Sequence, residues 1–302
     1  MSTSYAIGDR CFEADGKYLA LELPDSSPLL GDPAALRQRL SDDGFLFIRG
    51  FHDPDAVLAA RRDMLHRLAE RGMLDPNQPE SDGVVAADKR AGATSSVRGN
   101  DYLKTPSVRD VLYGPRTMKF FDELFGQAAT HFNFEWLRAA PPGAGSPIHC
   151  DMVYMGRGSQ RLLTLWTPFG HITPEMGPLA VCLNSHRWDD VIATYGRDDV
   201  DRNRTRGVFS DDPAELVDRF GGRWATTTFE PGDAVVLCMY NLHASLKNQS
   251  DRFRISCDTR YQPASEPLDD RWGGDPPRGH EVLWSDGVEL ESVAQSRVRW
   301  GI

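Results

Sequence analysis

Residues 146–154 read SPIHCDMVY and contain a His-x-Asp pair. We interpret this stretch as a β-strand, in which side chains at positions i and i+2 project from the same face. His149 and Asp151 should therefore converge on one point, while Cys150 points away from it. A histidine and a carboxylate that converge in this way supply two ligands of a metal site. The pair alone does not exclude the commoner alternative, a hydrogen-bonded structural histidine.

The third ligand must come from a distant part of the chain. His243 is the best candidate because it closely follows the apolar run 234–240, AVVLCMY. Two imidazoles and one carboxylate on one side of a metal form the facial triad of non-haem Fe(II) oxygenases, which leaves coordination positions open. Eleven residues after His243 comes Arg254, followed by Ser256 on the same face of a predicted strand. A guanidinium and a hydroxyl placed together are suited to binding a carboxylate.

The pattern of elements predicts a fold that can bring such distant ligands together. Asp-Pro pairs at 32–33 and 53–54 start helices in a helical entry at about 32–125. The strands that follow favour a mainly β protein with flanking helices and a double-stranded β-helix core, a cupin-like jelly roll, at about 128–262. We expect one domain over 1–302, with an insertion at 188–222 and a C-terminal tail at 263–302 that packs back on the core. The predicted strands are 130–139, 148–154, 161–168, 178–183, 224–230, 234–240 and 252–261.

Several short motifs occur in a fixed order through the predicted core. They are Pro141-Pro142, His149-Cys-Asp151, Leu165-Trp-Thr-Pro168, Gly177-Pro-Leu179, Ser185-His186, His243 and Arg254. With these motifs the chain resembles the phytanoyl-CoA dioxygenase family of Fe(II)/2-oxoglutarate oxygenases, over roughly residues 32–262.

The resemblance implies that His149, Asp151 and His243 bind Fe(II), with 2-oxoglutarate as cosubstrate and O₂ as oxidant. It also implies that Arg254, together with Ser256, binds the far carboxylate of the oxoacid, and that Trp166 lies beside it. Family members that halogenate lack the ligand carboxylate, so the presence of Asp151 favours oxygenation, with hydroxylation of a small molecule as the default. Because no basic cluster for a CoA group is apparent, the family name does not give the substrate.

A non-catalytic jelly-roll module that holds a metal such as zinc is the alternative function. Arg254 separates the two hypotheses, because a metal-binding module does not need a buried arginine one strand beyond its ligands. Ligand entrances are commonly made of long loops on a rigid scaffold. We therefore predict that the polar segments 82–101 and 188–222 border the mouth of a substrate pocket.

The composition argues against several other kinds of partner. The net charge is −10 and the basic residues are scattered, so nucleic acid is not expected. We expect a cytoplasmic protein without a membrane partner, because no apolar run has the length of a membrane span and no signal peptide is recognisable. The five cysteines lie mostly in apolar runs and indicate reduced thiols. We expect a monomer or a homodimer.

Overall fold

The computed structural model describes residues 3–90 and 101–302. The strands in these ranges are β1 (Ser4–Ile7), β2 (Arg10–Glu13), β3 (Leu19–Ala20), β4 (Phe45–Ile48), β5 (Ala129–His131), β6 (Trp136–Ala140), β7 (Ser146–His149), β8 (Leu163–Pro168), β9 (Leu179–Cys182), β10 (Trp224–Ala225), β11 (Ala234–Cys238), β12 (His243–Ser245) and β13 (Arg254–Pro263). The helices are α1 (Pro33–Asp43), α2 (Pro54–Glu70), α3 (Pro106–Tyr113), α4 (Pro115–Phe125), α5 (Met152–Met155), α6 (Asp189–Ala193), α7 (Pro213–Asp218) and α8 (Val293–Trp300).

Two mainly antiparallel sheets form the core. The smaller sheet has the strand order β3-β10-β9-β12-β7, and the larger has the order β4-β11-β8-β13-β5, with β6 also paired to β13. Apolar side chains from both sheets, among them Trp166, Val235, Leu179 and Val181, meet in one buried cluster. The predicted jelly-roll core with flanking helices is thereby confirmed.

Strand β8 shows how the sequence separates the two faces of the larger sheet. Leu163 and Leu165 pack against the helices, in the cluster that also holds Phe121. The alternate residues Thr164 and Trp166 face inward, because successive side chains of a strand point to opposite faces. The larger sheet is therefore covered by helices on one side and faces the metal-ligand candidates on the other.

The helical entry follows from its capping residues. Asp32 accepts hydrogen bonds from Ala34 N and Ala35 N at the start of α1, and Asp53 accepts one from Asp55 N at the start of α2. Such side-chain acceptors satisfy backbone N–H groups that have no partner within a helix. Both helices begin where the Asp-Pro pairs predict them.

Several predicted strands differ from those observed. The predicted strand 148–154 is wrong beyond His149, because β7 ends there and the chain turns into α5. The stretch 130–139 is divided into β5 and β6, and of 224–230 only Trp224–Ala225 lies in a strand. Residues 243–245, which were not predicted as a strand, form β12.

The insertion and the tail both pack into the core. Tyr195, Val200 and Phe209 of the insertion are buried in the same cluster as Trp272 and Trp300 of the tail. The packing of tail tryptophans against the rest of the protein is as predicted. The insertion is not a loop lying over the core but contributes to it through α6, α7 and the buried side chains between them.

Candidate active site

Pairing of β7 with β12 brings the two histidines together. His149 at the end of β7 is the direct partner of His243 at the start of β12, and their ring centroids lie 4.2 Å apart. One ligand atom from each of His149, Asp151 and His243 lies within 4.8 Å of the others. Within residues 3–90 and 101–302 this is the one cluster of at least three such side chains that could hold a metal.

Asp151 joins the histidines through a turn rather than through strand alternation. It lies directly before α5 and has helical backbone angles of φ −73° and ψ −22°. The expectation that both ligands lie on one strand is therefore wrong, although the two side chains do converge. Cys150 is buried in the apolar core, where its backbone N–H donates to the Tyr195 hydroxyl at 3.1 Å. This contact ties the ligand turn to the insertion.

Hydrogen bonds orient both imidazoles. His149 Nδ1 lies 2.8 Å from the Pro147 carbonyl oxygen, and His243 Nδ1 lies 3.1 Å from that of Asn241. A carbonyl can only accept, so Nδ1 of each neutral ring carries the hydrogen and the Nε2 lone pair is free for a metal. Burial, followed by the neighbouring His243, lowers the pKa of His149 to about 3. The ring is therefore neutral, as metal ligation requires.

The carboxylate of Asp151 is held by two partners. Thr164 donates to Oδ2, and Arg260 donates from Nη2 to Oδ1 at 3.0 Å. Burial alone would raise the pKa of Asp151, but Arg260, His243 and His149 outweigh it and lower the pKa below the ordinary range. Asp151 therefore remains ionised.

A small cavity beside the triad contains a buried cation that has no counter-ion in the described part of the chain. Arg254 is 2% exposed; its guanidinium donates to Ser256 Oγ at 2.5 Å and to Ser245 Oγ at 3.4 Å, and its Nε has no partner. Burial and the nearby Arg138 lower the pKa of Arg254 to about 9. An unneutralised guanidinium with a free N–H fits the distal carboxylate of an oxoacid.

Trp166 and Ser256, the other two residues predicted to serve the cosubstrate, differ in their relation to this cavity. Trp166 lines the same cavity as His149, His243 and Arg254. Ser256 is fully buried and is not among the described residues that line the cavity. Because its Oγ accepts a hydrogen bond from the Arg254 guanidinium, Ser256 is placed to orient Arg254.

A second cleft of about 300 Å³ opens on the other side of His149 and Asp151. Its wall comes from the β6–β7 region, α5, Arg260 of β13 and the tail. None of its lining residues that the structure describes belongs to 82–90, to Asp101 or to 188–222. For these residues the prediction that the two polar segments border the pocket is wrong; residues 91–100 lie outside the described part. The lining residues are Trp136, Arg138, Gly145, Ser146, Pro147, His149, Asp151, Tyr154, Met155, Arg260, His280, Leu283 and Trp284.

Arg260 and the tail residues of the cleft were not predicted from the sequence. Arg260 continues the alternation Arg254-x-Ser256-x-Asp258-x-Arg260 along β13, so strand periodicity could have placed it on the same inner face. His280, Leu283 and Trp284 carried no comparable signal, because they lie outside regular elements.

The fold and the triad together define a jelly-roll oxygenase of the Fe(II)/2-oxoglutarate class. The model of the family described as phytanoyl-CoA dioxygenase (PhyH) matches residues 40–256. The chain belongs to this family. It is an Fe(II)- and 2-oxoglutarate-dependent dioxygenase, as predicted, and the catalytic hypothesis is favoured over the non-catalytic module.

Two curated relatives have similar lengths. A 1-deoxypentalenic acid 11-beta-hydroxylase of Streptomyces exfoliatus is 29% identical over 256 residues, covering 80% of this chain and 85% of the relative. The corresponding protein of Streptomyces arenae is 27% identical over 260 residues, with the same coverage.

Solved structures share the fold at low sequence identity. The non-heme alpha ketoglutarate dependent epimerase SnoN from nogalamycin biosynthesis has a TM-score of 0.54 at 19% identity, covering 86% of this chain and 99% of SnoN. Apo EctD from S. alaskensis has a TM-score of 0.55 at 20% identity, covering 89% and 90%. No helix in the described part of the chain is long and apolar enough to cross a membrane.

Proposed function

We propose that the protein hydroxylates a C–H bond of a free small molecule, with His149, Asp151 and His243 as the Fe(II) ligands and Arg254 as the anchor of 2-oxoglutarate. The observation that carries this proposal is the position of Arg254 in the cavity that the triad also lines. Its guanidinium is buried there, and no described residue serves as its counter-ion. In a metal-binding module this buried charge would lower the stability through its desolvation and would have no ligand to bind.

When bound, iron and the oxoacid would activate O₂, with one oxygen atom passing to the substrate C–H bond and the other to succinate, while the oxoacid also releases CO₂. The protein's own groups fix the geometry. The carbonyls that face Nδ1 of each histidine direct Nε2 toward the metal, and Thr164 and Arg260 hold the carboxylate of Asp151. Ser256 orients Arg254, and Trp166 forms one wall beside the oxoacid.

The cleft supports a compact substrate. Its volume of about 300 Å³ lies at the lower end of typical small-molecule pockets, and Trp136, Tyr154, Met155 and Trp284 contribute much of its lining. The curated relatives are named for the hydroxylation of 1-deoxypentalenic acid, a small molecule. These features favour a free metabolite over an acyl-CoA.

The proposal also covers the domain organisation, the location and the partners of the protein. The packing of tail and insertion into one core cluster supports a single domain over 1–302. Five free cysteines support a reducing, cytoplasmic location. The acidic net charge supports the absence of nucleic-acid partners. A monomer or homodimer remains a prediction.

A succinate-release screen tests the proposal. Purified protein with Fe(II) and 2-oxoglutarate is assayed against terpenoid acids, including 1-deoxypentalenic acid, other small acids, amino acids, aromatic metabolites and acyl-CoAs. We expect a free small molecule to raise succinate release and to gain one oxygen atom by mass spectrometry. Coupled turnover of an acyl-CoA, but not of its free acid, would overturn the proposed substrate class.

A further inference from the structure

The charged groups around the triad do not cancel. Three guanidiniums, of Arg138, Arg254 and Arg260, and two carboxylates, of Asp151 and Asp258, line the cavity and the cleft. A ferrous ion and the dianion of 2-oxoglutarate together add no net charge. One positive charge therefore remains, in a region where most of these side chains are buried. Buried charges are ordinarily paired, since desolvation without a partner is costly.

The unmatched charge can be assigned to Arg260. Arg138 forms an ion pair with Asp258. Arg254 is the proposed partner of the distal oxoacid carboxylate, and the charge of the metal is balanced by Asp151 together with the other carboxylate of the oxoacid. Arg260 does contact Asp151, but that carboxylate is already assigned as an iron ligand.

Arg260 also has hydrogen-bonding capacity to spare. Its Nη2 donates to Asp151 Oδ1 at 3.0 Å, and its Nε contacts the Met155 sulfur at 3.0 Å. The guanidinium carbon lies 4.4 Å from the ring centroid of Trp136, so an aromatic face fixes its plane. Nη1 is buried and has no hydrogen-bond partner within residues 3–90 and 101–302. Both N–H bonds of this Nη1 are thus left without an acceptor among the described residues.

The rest of the cleft gives this group an apolar setting. Trp136, Tyr154, Met155, Leu283 and Trp284 line it. The imidazole of His280 also lines the cleft, but its Nδ1 already lies 3.0 Å from Asp201 Oδ2. A molecule that fills the cleft would therefore bury its carbon skeleton against these side chains. Of the two guanidiniums in the lining, Arg138 is already paired with Asp258, which leaves Arg260 to meet an anionic group.

We propose that the substrate is an apolar molecule carrying a carboxylate, and that Arg260 binds this carboxylate through Nη1. The inference rests on the proposed function, because the charge count includes the metal and the oxoacid. It extends that function by naming both the anionic group of the substrate and the residue that selects it. Arg260 would then connect the two sites, with Nη2 on the ligand carboxylate and Nη1 on the substrate.

A matched pair of probes tests this inference without a known substrate. Adamantane-1-carboxylate and adamantane-1-carboxamide share a compact apolar skeleton and differ in charge. Binding of each is measured by calorimetry under anaerobic conditions to protein saturated with Fe(II) and 2-oxoglutarate. A charge-assisted hydrogen bond predicts that the wild type prefers the carboxylate about 10- to 100-fold. Arg260→Gln should lose this preference and still bind the carboxamide.

Three variants serve as controls. Arg278→Gln, which removes an exposed tail arginine paired with Asp270, should keep the preference. Arg260→Lys should keep part of it, which separates loss of charge from a general disturbance of the cleft. Arg254→Gln, assayed at a 2-oxoglutarate concentration raised to saturate this variant, shows whether the acid occupies the oxoacid site instead.

Several results would overturn the inference. For the wild type, these are failure of both probes to bind, or equal binding of the carboxylate and the carboxamide. For the variants, they are an unchanged preference for the carboxylate in Arg260→Gln, or a preference that is lost in Arg254→Gln but kept in Arg260→Gln. If Arg260→Gln and Arg260→Lys lose the preference for the carboxylate equally while both still bind the carboxamide, the charge of residue 260 is not the cause of that preference. Failure of the proposed function is recognised separately, since the wild type would then lack the visible absorption of the iron–oxoacid complex.

Discussion

Replacing Arg254 by methionine removes a buried cation while keeping much of the side-chain volume. In the wild type this guanidinium is buried, has two serine hydroxyls as partners, and has no carboxylate partner in the described part of the chain. Loss of a charge-assisted pair in such a desolvated pocket costs about 2–4 kcal/mol. The Kd for 2-oxoglutarate should therefore rise about 30- to 1000-fold. Iron binding should change little, because Arg254 forms no hydrogen bond or ion pair with any of the three proposed ligands.

The same substitution should not weaken the protein without its cosubstrate. Burial and Arg138 lower the pKa of Arg254 to about 9, so at pH 7 the charged form is present in an unfavourable place. A lowered folded-state pKa means that this destabilisation is complete below pH 9 and declines as the pH rises above it. Arg254→Met should therefore unfold at the same or a higher temperature than the wild type in the absence of 2-oxoglutarate.

Anaerobic titration of 2-oxoglutarate into the Fe(II)-loaded protein measures the affinity, and thermal unfolding measures the stability. Arg252→Met is the matched control, because Arg252 lies two residues earlier, has a half-exposed side chain and pairs only with the adjacent Asp251. It should retain the wild-type affinity. Unchanged affinity in Arg254→Met, or a large loss in Arg252→Met, would refute the assignment of the anchor.

Three further predictions concern the support of the site and the fold. Thr164→Val removes a hydrogen bond to Asp151 and should lower Fe(II) affinity about 10-fold, measured by competition with a chelator; unchanged affinity would remove Thr164 from the ligand support. Gly177→Ala should lower the free energy of unfolding in urea by at least about 2 kcal/mol, because φ is +73° and the new Cβ would lie 2.5 Å from the Leu246 carbonyl oxygen; a stable variant would contradict this. Burial, followed by Arg116, lowers the pKa of His52 to about 3 in the folded protein. Between about pH 6.5 and pH 3 the unfolded chain therefore binds one more proton at this histidine than the folded protein does. The free energy of unfolding should fall as the pH drops through this range, by up to about 1.4 kcal/mol per pH unit. His52→Asn should flatten that slope in urea unfolding measured against pH, and an unaltered slope would argue against a neutral His52.

The sequence predicted the parts of the protein that follow from local rules. Asp32 and Asp53 start helices because their side chains satisfy backbone N–H groups within a few residues. The two histidines and the aspartate were found because metal ligands must be of particular residue types. Their convergence was predicted correctly, but the reason given for Asp151 was wrong, since a turn and not a strand carries it.

The parts that could not be predicted depend on long-range packing. His243 lies in a three-residue strand, which is too short to show a period and exists because β9 and β7 pair on either side of it. The tail residues of the cleft are held by Asp201, whose Oδ1 accepts from Val282 N and Leu283 N. No local pattern links these distant segments, so the sequence did not indicate that the tail forms part of the cleft wall.

Anaerobic visible spectroscopy tests the central claim most directly. Addition of Fe(II) and then 2-oxoglutarate to the metal-free protein should produce the weak charge-transfer band of an iron–oxoacid chelate. His243→Ala should abolish the band, while His171→Ala, which removes an exposed histidine paired with Glu230, should leave it intact. Tight zinc binding by the wild type with no such band on addition of Fe(II) and 2-oxoglutarate would contradict the assignment of this site as an oxygenase centre.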